Sequence, residues 1–179
     1  MVSTAAACTL GNLTVSGFKY KASATGGASE ITPDQIMVQP LLAPVGTYGL
    51  QFTASWKADT GQTQGSLITY KVVAQPSTTP PGNTIKEAIL NGSGFTGGLV
   101  TSAIVTEGTA AVSSVSPLQV YEKCNGATVC QTKTSSTLTL KKPAAALAVS
   151  DKVALTAKQG ATTVANFTDW FVVCQPCVN

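Results

Sequence analysis

Apolar and polar residues alternate along most of this chain. From Tyr48 to Trp56 every even position is apolar (Tyr48, Leu50, Phe52, Ala54, Trp56) and every odd one is polar or glycine. That period of two marks a strand with one buried face. Phe18, Tyr20 and Ala22 repeat the pattern, as do Ile68, Tyr70 and Val72, where Leu67 and Val73 add apolar positions on the second face. Residues 99–105 mix β-branched and small side chains, as in a central strand covered on both faces. Leu118 with Val120 and Leu138 with Leu140 predict two strands flanking a cysteine hairpin, and residues 153–155 and 167–173 predict the last pair. Gly26-Gly27, Pro33-Asp34, Asp59-Thr60-Gly61 and Gly97-Gly98 supply turns between these runs. Helix signals hardly appear: one turn beginning at Pro81, and an alanine-rich run at 143–148 too short to stand alone. The pattern predicts an all-β, single-domain antiparallel β-sandwich over residues 1–179. It is Ig-like or jelly-roll-like, with about eight to ten strands.

Composition changes what such a sandwich can do. Charged residues make up 11 % of the chain, against about a quarter in an average soluble domain, so neutral polar groups must cover the surface. The net charge of +3 comes from lysine alone, with no arginine, and the lysines are scattered along the sequence, Lys141-Lys142 being the one adjacent pair. A chain without arginine and without a basic stripe is not expected to bind nucleic acid. The absence of histidine removes the commonest general base and metal ligand. The carboxylates (Glu30, Asp34, Asp59, Glu87, Glu107, Glu122, Asp151, Asp169) form no Asp-x-Asp pair of the calcium type. A glycosidase needs two carboxylates across a cleft, and nothing in their spacing points to such a pair. No catalytic, metal or cofactor site is therefore expected. No apolar stretch reaches the roughly 18 residues of a membrane span, and the start of the chain lacks the basic and apolar regions of a signal peptide.

Five cysteines fix further expectations. Cys124 and Cys130 bracket Asn125-Gly126, a tight-turn dipeptide, and predict a disulfide that staples a hairpin. Cys174 and Cys177 have CxxC spacing but lack the further ligands of a zinc site and the helix of a redox centre. A structural disulfide is the expected use, with Cys8 a candidate partner for one of them. The odd count leaves one thiol free or bonded to another molecule. Among the aromatic residues, Trp56 keeps the inward phase of its strand and belongs to the core. Trp170 and Tyr121 are candidates for stacking on a sugar ring.

Several stretches resemble bacterial exported β-rich proteins of the PEP-CTERM type. The likeness runs through Cys8-Thr9-Leu10-Gly11, Phe18-Lys19-Tyr20, Ile36-Met37-Val38, then Tyr48 to Trp56, Gly61-Gln62-Thr63 with Ile68-Thr69-Tyr70, and Val153 to Phe167. It implies an exported protein at or beyond the cell surface. The sequence departs from the family at its end, where Val173-Cys174-Gln175-Pro176-Cys177 stands in place of the sorting tail.

Low charge, disulfides and strand-rich ends give two functional expectations. The first is a non-catalytic extracellular structural subunit that self-assembles into a filament or surface layer by β-edge pairing. Residues 2–10 or 172–179 would then be the exchanged strand. The alternative is a monomeric polysaccharide-binding or adhesin module at the cell surface. The expected partners are accordingly further copies of the chain or a polysaccharide.

Overall fold

The computed structural model describes residues 7–44, 46–76, 82–109, 117–126 and 130–174. They build two antiparallel sheets around one core, as the alternation predicts. The strands are β1 (Cys8–Leu10), β2 (Leu13–Thr25), β3 (Met37–Ala43), β4 (Thr47–Ala58), β5 (Gln62–Ala74), β6 (Thr84–Ser93), β7 (Thr96–Gly97), β8 (Val100–Thr109), β9 (Leu118–Asn125), β10 (Gln131–Lys133), β11 (Ser135–Ala144), β12 (Ala146–Gln159) and β13 (Thr162–Cys174). Sheet A runs β1-β2-β5-β12-β8-β9-β10, and sheet B runs β11-β6-β13-β4-β3, with β7 pairing β13.

Inward side chains of both sheets close the core. Phe52 and Phe167 of sheet B stack with ring centroids 4.9 Å apart, and Trp56 tilts against Phe167 at 5.6 Å. Tyr70 of sheet A meets Phe52 at 5.8 Å and Phe18 at 5.2 Å, tying the layers together. Trp56 is fully buried, as its phase requires, and its indole N–H donates to Ser66 Oγ at 3.0 Å.

Four local expectations need correction. Strand β8 lies inside sheet A, yet only one of its faces is covered: Ala103, Val105 and Glu107 point inward while Ser102, Ile104 and Thr106 line the open outer face. Leu99 stays 55 % exposed. The hairpin partner of β9 is the short β10, and the strand carrying Leu138 and Leu140 crosses to pair β6 in the other sheet. The alanine-rich run is extended, because alternation continues through Ala146, Leu147, Ala148 and Val149 and each partner strand supplies the backbone bonds that an isolated helical turn cannot. Residues 84–90 belong to β6 rather than to a helical turn, and Pro81 lies outside the described residues.

Both terminal segments are paired within the chain as far as they are described. Cys8–Leu10 forms a short edge strand on β2, and the end of β13 sits between β4 and β6. The rest of each proposed exchange strand, residues 2–6 and 175–179, lies outside the described residues. Among the described residues no helix is long and apolar enough to cross a membrane.

Candidate functional site

The register of sheet B gathers neutral side chains on its outer face. Leu41, Gly49, Trp170, Ile89 and Thr137 lie side by side across five strands. The neighbouring row is Gln39, Gln51, Thr168, Asn91 and Ser135, and the next contains Met37, Thr53, Asn166 and Ser93. Strand alternation puts Trp170 outside because Asp169 and Phe171 on either side are buried. Gly49 makes room for it: a Cβ there would stand 2.6 Å from Trp170 Cε3, 2.8 Å from Cδ2 and 3.0 Å from Cζ3. Three ring atoms at near-equal distances mean that the half-buried indole lies over the Gly49 backbone. An amide and hydroxyl row thus borders a flat aromatic surface. Farther along the same face, a groove of about 580 Å³ opens beside the bulge between β4 and β13, lined by Met37, Thr53, Ser55 and Thr163 among others. Trp170 and Asn166 are separated by about 13 Å along β13.

Tyr121, the other candidate, belongs to the opposite outer face. It pairs Ile104 and Lys133 on sheet A, and Lys123 Nζ sits 4.4 Å from its ring centroid. The two aromatic candidates cannot share one ligand.

Sheet A also corrects the reading of scattered lysines. Its outer face carries Lys19, Lys21, Lys71, Lys123, Lys133, Lys152 and Lys158, seven of the eleven in the chain. The strands bring together lysines that lie far apart in sequence, because each occupies the outward phase.

Charge of the other sign is hidden inside. Asp151 of β12 and Glu107 of β8 are directly opposite each other and point into the core, and Asp169 of β13 faces them from the other sheet. Their exposures are 0 %, 1 % and 0 %, so no substrate reaches them. One oxygen from each lies within 4.8 Å of the others. Tyr70 O–H donates to Asp169 Oδ2 at 2.5 Å. The remaining Asp169 oxygen and both oxygens of Glu107 and Asp151 have no hydrogen-bond partner among the described residues. Burial pushes the Glu107 and Asp151 carboxyls well above the usual range, and the neighbouring acids add to it. Burial likewise raises Asp169 to about 6, against the lowering effect of its bond from Tyr70 and of the adjacent Asp151 carboxyl. Desolvation also pushes the Tyr70 phenol well up, with the Asp169 charge adding to it.

Sequence spacing missed this cluster because its members are distant in the chain. A usable signal was nonetheless present. Glu107 follows Val105 in phase, Asp151 stands between Val149 and Val153, and Asp169 between Phe167 and Phe171. Each acid occupies a position where its strand demands an apolar residue.

The cysteines divide in two ways. Cys124 and Cys130 form the expected disulfide, with Cα atoms 4.4 Å apart. Their proximity to Glu122 does not make a thiolate site, since both sulfurs are bonded to each other. Cys174 is also disulfide-bonded. Cys8 is a free, exposed thiol, which corrects the suggested bond to the Cys174–Cys177 pair. It sits on the edge strand of sheet A, whereas Cys174 ends a central strand of sheet B. Cys177 lies outside the described residues.

No protein-family model matches the chain, and no curated protein sequence matches it. Among solved structures it is similar to TmCBM61 in complex with β-1,4-galactotriose, with a TM-score of 0.36 and 9 % identity over 88 % of each chain. A likeness at that level carries no residue or ligand across.

Proposed function

We propose that the protein is a non-catalytic extracellular module that binds a neutral polysaccharide on the outer face of sheet B. The observation that carries this reading is the flat Trp170 ring beside an amide and hydroxyl row. Sugar C–H groups pack on an aromatic face, and amides such as Gln39, Gln51 and Asn91 both donate to and accept from hydroxyl groups. The three rows contain no charged side chain, which suits an uncharged polymer. The Cys124–Cys130 disulfide fits an oxidising compartment, and the family resemblance drawn from the sequence implies the same setting.

Affinity electrophoresis and calorimetry against a panel of neutral polysaccharides test this. One member of the panel should bind with little dependence on salt, and Trp170→Ala should weaken it by about tenfold or more, as loss of an aromatic anchor does. Tyr121→Ala should leave binding unchanged. Equal binding by the Trp170→Ala protein, or binding to no neutral glycan, would reject the reading.

A second reading, self-assembly through a sheet edge, draws on β3. This edge strand exposes Met37 at 55 % and Leu42 at 72 %, although Pro40 removes one donor from any extended ladder. Polymers in electron micrographs of the purified protein would favour it, and a monomer in solution would count against it.

A further inference from the structure

The geometry points to a buried site for one divalent cation of the calcium class, held by Glu107, Asp151 and Asp169 between the two sheets. Two separate observations carry it. The first is convergence: three carboxylates from β8, β12 and β13 place oxygens within 4.8 Å of one another. Calcium binds oxygen at about 2.3–2.6 Å, so a single ion can touch ligands up to roughly 5 Å apart. The second is the state of those oxygens: five of the six lack any hydrogen-bond partner among the described residues, although the three acids are 0–1 % exposed. Buried polar atoms are almost always satisfied, and two like charges opposed across a ladder repel each other. Here Asp151 and Glu107 are such an opposed pair. A cation between them removes both difficulties at once.

The chemistry of the donors selects the ion. All are hard oxygens, with no nitrogen or sulfur, which disfavours zinc and copper. Magnesium keeps several of its waters and demands near-ideal octahedral geometry, whereas these carboxylates are fully buried and walled by side chains. Three carboxylates offer six oxygens, the lower end of calcium's usual coordination number. Tyr70 holds one Asp169 oxygen and so orients that ligand from sheet A. An ion here would clasp sheet A to sheet B and would enter as the chain folds, because the three carboxylates are 0–1 % exposed in the closed sandwich. This inference does not depend on glycan binding.

The test uses the whole chain and calcium itself. Metal analysis of protein purified without chelator should find roughly one ion per chain. Protein unfolded in guanidinium with EDTA and refolded should melt at a higher temperature when calcium is supplied during refolding, and terbium should compete for the same site. The double variant Glu107→Gln with Asp151→Asn should lose at least about tenfold in bound metal, and its melting should ignore both calcium and EDTA. If that variant fails to fold, refolding of the native chain with and without calcium still decides the matter. Native protein that holds no metal and melts identically with and without calcium would overturn the site and leave three carboxyl groups that share protons.

Discussion

When the protein is kept free of divalent cations, its stability should fall as pH rises from about 4 to about 6. Asp169 carries the part that can be worked out. Its carboxyl ionises near 3.8 in an unfolded chain and at about 6 in the core. The folded state therefore holds the proton more tightly, so this contribution is complete below pH 3.8 and is lost as pH rises toward about 6. At 1.36 kcal/mol for each pH unit, the loss is about 3 kcal/mol. Glu107 and Asp151, both held well above their ordinary values, change stability in the same direction. Tyr70 stays protonated throughout, since burial raises it well above 10. For a domain of this size 1 kcal/mol shifts the melting temperature by about 2–4 °C, so Asp169 alone accounts for a drop of about 6–12 °C. Circular dichroism melts of EDTA-refolded protein across this range measure it. Asp169→Asn should flatten much of the slope. A melting temperature that holds constant or rises between about pH 4 and about 6 would refute the reasoning, because it would show that the buried acids do not take up protons on folding.

Other consequences follow from single contacts. Gly49→Val should displace the Trp170 ring, cost about 1–3 kcal/mol through overpacking, red-shift the tryptophan fluorescence and reduce glycan affinity. Phe167→Ala removes the ring stacked on Phe52 and packed on Trp56 and should destabilise by about 3–5 kcal/mol in urea titrations. Replacing Cys124 and Cys130 together by alanine opens a small covalent loop. It should cost about 2 kcal/mol on loop-closure grounds, read as a lower melting temperature.

The fold was legible because its driving pattern is local. Alternation in residues 48–56 or 68–72 records which side of a strand faces the core, and that holds whatever the strand pairs with. What the pattern left open was partnership. Leu138 and Leu140 read as a neighbour of the cysteine hairpin, yet β11 joins the other sheet, since nothing local distinguishes a short hairpin from a crossover. The same limit hid the outer faces. Trp170 was recognisable as a stacking candidate, but Gly49, Gln39, Gln51 and Asn91 become its neighbours only through pairing across β3, β4, β6 and β13. Lys19 and Lys158 likewise seemed unrelated until both took the outward phase of sheet A.

The three buried acids connect these observations. A chain with only eight carboxylates places three of them in its interior, so its eleven lysines face five solvent-accessible acids, and the surface is more basic than the formal charge of +3 suggests. That excess is not spread evenly. Sheet A presents most of the lysines, whereas the central rows of sheet B present amides, hydroxyls and one indole. The two outer faces therefore suit partners of different kinds: a neutral polymer would find no electrostatic reward on sheet A, and an anionic one none on the central rows of sheet B. High salt should weaken any attachment made through the lysines, since screening acts on exposed charges, and should leave a ligand stacked on Trp170 in place. The sandwich thus separates its chemistry by strand phase, with acid within, cation on one outer face and neutral hydrogen-bonding groups on the other.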